Sequence, residues 1–113
     1  MDGKDEEAAV TTPVHTPHRG AKPPTEEEIV TTFLREGLSP HSWSNGPGDR
    51  YAPHFHPYHK LLYCVRGSIC FLVGADGEEM SLAPGDRLEI PPGVPHSAVV
   101  GQDGVTCMEA QRG

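Results

Sequence analysis

Apolar positions recur along this chain with two different periods, and the change between them, at about residue 38, separates a helical segment from a run of strands. Ile29, Val30, Phe33 and Leu34 stand at helical spacing behind Pro23-Pro24-Thr25-Glu26-Glu27-Glu28. Thr25 has the hydroxyl of an N-cap, Glu28 lies three residues on to close a capping box, and the acidic run meets the positive end of the helix dipole. Gly37 is a natural stop. The spacing predicts one amphipathic helix over about 25–36, whose apolar stripe has to cover a sheet or a second subunit.

From Leu38 onward short apolar runs are divided by turn residues. Strands are predicted over 61–65 (LLYCV), 68–73 (SICFLV), 78–82, 87–90, 97–100 and 105–110. Asp76-Gly77 reads as a hairpin and Arg66-Gly67 as another tight reversal. In 87–90 the alternation is clean, with Leu88 and Ile90 facing in and Arg87 and Glu89 facing out. LLYCV and SICFLV are apolar on both faces, so their outer sides need cover as well. The helix or a symmetric homodimer would supply it, and the homodimer is favoured. The fold class expected is all-β, an antiparallel jelly-roll barrel with one short N-terminal α-helix. Residues 1–22 are polar, punctuated by proline and without apolar period. They are expected to be a flexible tail before a single barrel domain over 23–113, with His15 and His18 as solvated side chains.

Composition narrows the partners. A formal net charge of −7 argues against nucleic acid and anionic membrane surfaces, which want basic patches. No apolar run approaches the ~20 residues of a membrane span, and no apolar leader opens the chain, so a cytoplasmic location is expected. Cys64, Cys70 and Cys107 make an odd count and read as reduced thiols buried in strands.

The candidate chemistry lies in histidines. His54 and His56 are two apart, so on an extended strand both project to one face. His96 follows Pro91-Pro92-Gly93-Val94-Pro95, a turn whose prolines fix φ and whose glycine tolerates positive φ, so its side chain is delivered to one place. Three imidazoles on closely spaced strands suit a divalent transition metal ion such as Fe, Mn, Ni or Zn. The competing reading is a hydrogen-bonded polar plug without metal.

Two stretches, GDRYAPHFHPYHKLLYCVRG (48–67) and PGDRLEIPPGVPH (84–96), resemble the paired motifs of the cupin superfamily. Gly48, His54, His56 and Gly67 fit G-x5-H-x-H-x3,4-E-x6-G, and Gly85, Pro91, Gly93 and His96 fit G-x5-P-x-G-x2-H-x3-N. The resemblance covers about half the chain and is similar to that of small single-domain cupins. It implies a double-stranded β-helix, a metal held by His54, His56 and His96, and frequent dimerisation. Two positions depart from it: Lys60 stands where the family has a glutamate ligand, and Val100 where it has asparagine.

Lys60 decides how far the metal reading extends. Counting by twos from His54 and His56 brings it to their face, while a bend after Pro57 leaves the parity open. An inward ammonium would oppose a dication, an inward neutral amine would be a base or nucleophile, and an outward lysine would leave three protein ligands and open positions. The outward placement is favoured. His59 would enter as a fourth nitrogen ligand only through a one-residue bulge. Tyr58 reads as a half-buried aromatic at a strand start, and Trp43, just after His41, as core or interface. Glu89 alternates with core residues and should face out, and Glu109 is too near the chain end to place.

The expected function is that of a metal-dependent enzyme acting on a small molecule, dioxygenase-like or isomerase/cyclase-like. The alternative is a non-catalytic or metal-free small-ligand-binding module, since this fold hosts both.

Overall fold

The computed structural model describes residues 12–113. In chain order they form β1 (Val14–Thr16), α1 (Glu26–Arg35), β2 (His41–Asn45), β3 (Arg50–His54), β4 (His59–Val73), β5 (Glu78–Leu82), β6 (Arg87–Ile90) and β7 (His96–Arg112). Every strand pairing is antiparallel.

β4 and β7 are the two long strands, and they pair with each other from His59↔Arg112 to Val73↔His96. Their register shifts around Arg66 and Gly67 of β4 and again between Val105 and Val100 of β7, so each strand changes sheets partway along. The first half of β4 and the second half of β7 carry β6, β1 and β2; the other halves carry β5 and β3. One core fills the space between: Leu62, Cys64, Leu88 and Cys107 from the first group pack with Ile69, Phe71, Leu82 and Val100 from the second. This is the all-β jelly roll expected from the strand pattern.

Arg66-Gly67 is therefore a bulge within one continuous strand and not the reversal expected from sequence. Gly67 has φ of 79°, and a Cβ there would overlap the Gly104 carbonyl where the strands cross over. A positive-φ glycine serves a strand bend as well as a turn, and apolar periodicity does not tell the two apart. The Asp76-Gly77 hairpin forms as expected, joining β4 to β5 with the Gly77 N–H donating to the Gly74 carbonyl at 3.1 Å.

The tail expectation is corrected in its second half; residues 1–11 lie outside the described residues. Val14, His15 and Thr16 pair with Glu89, Leu88 and Arg87, so β1 extends the sheet edge. Asp86 anchors this segment, accepting from the His18 N–H at 2.8 Å and standing 3.6 Å from His15 Nε2. A three-residue edge strand held by backbone pairing is too short to show an apolar period.

α1 has the predicted capping box: the Glu28 N–H donates to Thr25 Oγ1 at 3.1 Å, and the Thr25 N–H donates to Glu28 Oε1 at 2.8 Å. Its buried residues Ile29 and Phe33, with Leu38, pack on Leu61, Val65, Met108 and Ala110, the outer face of the sheet. The helix thus covers LLYCV, and the homodimer favoured for that role is not needed there. Arg87 fixes the helix end, donating to both Glu36 oxygens at 2.8 and 2.9 Å and to the Tyr63 hydroxyl at 2.9 Å. The Arg87 hydrogen bond holds the Glu36 carboxyl below its ordinary pKa. No helix among the described residues is long and apolar enough to cross a membrane.

Candidate metal centre

Two strands and one turn bring the histidines together. His54 ends β3 and is the register partner of His96, which begins β7. His56 follows β3, and its carbonyl accepts the Gly93 N–H at 2.8 Å, tying it to the proline turn that precedes His96. The ligand atoms of His54, His56 and His96 all lie within 4.8 Å of one another. The three histidines singled out in the sequence therefore lie side by side.

Their hydrogen bonds set which nitrogen is free. His54 Nδ1 lies 2.7 Å from the Ala52 carbonyl and His96 Nδ1 lies 3.0 Å from the Val94 carbonyl. A carbonyl only accepts, so each Nδ1 carries the proton, and in the neutral ring Nε2 holds the lone pair. Nε2 of His56 and of His96 is buried without a hydrogen-bond partner among the described residues. Burial pushes both rings below the ordinary histidine range, His96 to about 4, so they are neutral at pH 7. Two of the three rings thus offer a desolvated nitrogen without a hydrogen-bond partner among the described residues, close enough to the third for one ion.

These rings line a cavity of about 260 Å³ bounded by side chains of β2, β3, β4 and β7. Tyr58 stacks on His56, with ring centroids 4.6 Å apart and planes at 17°. Trp43, Tyr51 and Phe71 supply further aromatic wall, and His41 stands at the edge. Trp43 also packs against the core, so one side chain belongs to both the core and the cavity wall.

Lys60 is the main correction. It lines the cavity, with a side chain only 12% exposed, and pairs with Glu109 Oε1 at 3.1 Å. The bend after Pro57 does not alter its parity, because β4 alternates without break through Lys60, Leu62 and Cys64, all facing in, while His59 and Leu61 face out. Glu109 is the residue that sequence reasoning could not place. It continues the inward series Val105, Cys107 on β7, sits diagonally across from Lys60, and accepts the Trp43 indole N–H at 2.9 Å. Extending that alternation by two residues would have found it.

His59 stays out of the cavity. It is buried on the outer face, with Nε2 3.1 Å from Glu89 Oε1, so no bulge brings it in as a ligand. Glu89 faces out, as expected, beside Arg87 at 3.4 Å. Cys64, Cys70 and Cys107 are free thiols; Cys64 and Cys107 are register partners in the core and Cys70 is half-buried.

Comparison with known proteins gives a consistent picture. The chain is 43% identical over 56 residues to quercetin 2,3-dioxygenase of Bacillus subtilis (strain 168), a match spanning 48% of this chain and 16% of that enzyme. An RmlC-like cupin from Shewanella frigidimarina NCIMB 400 superposes with a TM-score of 0.58 at 27% identity, covering 66% of this chain and 64% of that one. The DMSP lyase DddQ from Ruegeria pomeroyi DSS-3 superposes with a TM-score of 0.61 at 25% identity, covering 67% of this chain and 38% of that one. The Cupin domain family model (Cupin_2) matches residues 41–108, which begin with β2, take in all three histidines and make up more than half of the chain; the chain belongs to the cupin-domain family.

Proposed function

We propose that this protein binds a divalent first-row transition metal through His54, His56 and His96 and acts as a metal-dependent enzyme on a small molecule. The observation that carries the reading is the convergence of one ligand nitrogen from each ring within 4.8 Å, with Nε2 of His56 and His96 buried without a partner among the described residues and His54 and His96 oriented by Nδ1 hydrogen bonds to backbone carbonyls. Neutral imidazole suits Fe, Ni and Zn, and three such donors leave coordination positions for a substrate atom. When bound, the ion supplies Lewis acidity or, if redox-active, electrons for O₂ chemistry. The chain's own residues do the rest. The aromatic walls give an apolar lining to a space sized for a small ligand, and the Nδ1 hydrogen bonds hold the His54 and His96 imidazoles in one orientation.

Two of the similar proteins are a dioxygenase and a lyase, which supports either O₂-dependent or metal-polarised chemistry and does not choose between them. The rival is a metal-free or non-catalytic binding module. The reading further includes a cytoplasmic location and a homodimer, whose interface would use the outer face around Leu72, since α1 occupies the other.

The test is elemental analysis of tag-free protein beside His96→Ala. Near-stoichiometric Fe, Mn, Ni or Zn that drops at least about tenfold in the variant is expected. Protein that takes up none of these ions when they are supplied would establish the binding-module reading.

A further inference from the structure

We propose that Lys60 is the anion-recognition residue of this cavity, and that its ligand is a small molecule carrying a carboxylate on a planar, unsaturated body. The inference deepens the metal-site reading, on which it rests for the net charge of the pocket.

The contacts of Lys60 lead there. Lys60 Nζ has three donors, and the partner it meets among the described residues is Glu109 Oε1 at 3.1 Å. That same oxygen accepts the Trp43 N–H at 2.9 Å, so Glu109 is held from two sides and its position is set by the fold. Other lining groups offer Lys60 little: the Tyr51 hydroxyl donates to Asn45 Oδ1, and the three imidazoles cluster with a ligand nitrogen of each within 4.8 Å of the others. An oxygen of the ligand would therefore complete the shell of the ammonium, and a charged oxygen would do so most strongly.

Charge balance points the same way. Lys60 and Glu109 form an ion pair, so a dication held by the three rings would be left uncompensated by protein and would favour an anion. The rest of the wall is aromatic, with Trp43, Tyr58 and Phe71 presenting ring faces or edges to a flat molecule. A cavity of about 260 Å³ limits the ligand to a small one. The bland alternative is that Lys60 only neutralises Glu109; such a role would matter for stability and would not discriminate a carboxylate from its amide.

Trp43 is the single tryptophan of the chain and lines the cavity, so its fluorescence reports occupancy directly. As-purified, tag-free protein is titrated with benzoate and with benzamide, which share the ring and differ in charge, and metal content is measured on every sample. Benzoate is expected to bind at least about tenfold more tightly than benzamide. Lys60→Met should abolish that preference without changing metal content, Lys60→Arg should keep it, and Glu109→Gln, which releases Lys60, should increase it. Because Lys60→Met leaves a buried carboxylate unpaired and could unfold the chain, the double variant Lys60→Met/Glu109→Gln serves beside it and should also show no preference. The proposal is overturned if the wild type binds neither probe, binds both equally, or if the preference survives in the Lys60→Met variants. Metal content reports the metal reading separately: wild type that takes up no metal when it is supplied but keeps a Lys60-dependent preference would end that reading and leave the role of Lys60 standing.

Discussion

At the scale of single residues, burial has made two histidines of the site reluctant to take a proton. His96 is held at about 4, chiefly by desolvation, and His56 is lowered for the same reason with a further contribution from Lys60. In the unfolded chain a histidine titrates near ~6.5. Between those values the unfolded chain binds more protons than the folded one, so acidification favours unfolding. The contribution of His96 is complete above about pH 6.5 and is lost as pH falls through about 4, on the order of 3 kcal/mol in all. Urea unfolding of metal-free protein at pH 7 and pH 4.5 should show this loss, and His96→Leu should remove most of it. An equal loss in the variant would show that other groups govern the acid response.

At the scale of elements, α1 is a cover for the sheet. Phe33 is fully buried and meets Tyr63 edge-on at 5.3 Å, and with buried Ile29 and the Glu36–Arg87 fork it fastens the helix, whose start the capping box closes. Phe33→Ala should cost about 3–5 kcal/mol through the cavity it leaves, while Thr25→Ala should cost about 1 kcal/mol. Thermal melts would rank them. A Phe33→Ala change as mild as the cap change would mean that the sheet face tolerates exposure without the helix. The bends in β4 and β7 belong to this scale too, since they let Phe71 and Leu62, on one strand, enter one core from two sheets.

At the scale of the whole molecule, the outer face of the first sheet is closed by α1, whereas Leu72 remains 39% exposed and Cys70 half-buried on the other side. A homodimer through that second face should sediment at twice 12.2 kDa, and Leu72→Lys should return it to the monomer. An interface of this kind needs more than about 1,000 Å² of buried surface. Wild-type protein that sediments as a monomer at high concentration removes the homodimer from the proposed reading.

Periodicity in the sequence determined the helix, its cap, the Asp76-Gly77 hairpin and an all-β fold, because these follow from local chemistry: a hydroxyl at an N-cap, a glycine at positive φ, apolar residues at intervals of two or of three and four. Motif spacing singled out His54, His56 and His96 for the same reason, since the proline turn fixes locally where His96 emerges. What local pattern could not decide was which distant segment lies opposite. Gly67 became a bulge and not a reversal because β7 continues alongside β4 through the crossover. β1 exists because β6 offers an unpaired edge. Lys60 turned inward because it shares a face with Leu62, and Glu109 entered the cavity because β7 runs on past Val105 with its alternation intact. The Lys60–Glu109–Trp43 contact joins residues from three strands far apart in the chain, and only antiparallel pairing across β2, β7 and β4 brings them within bonding distance.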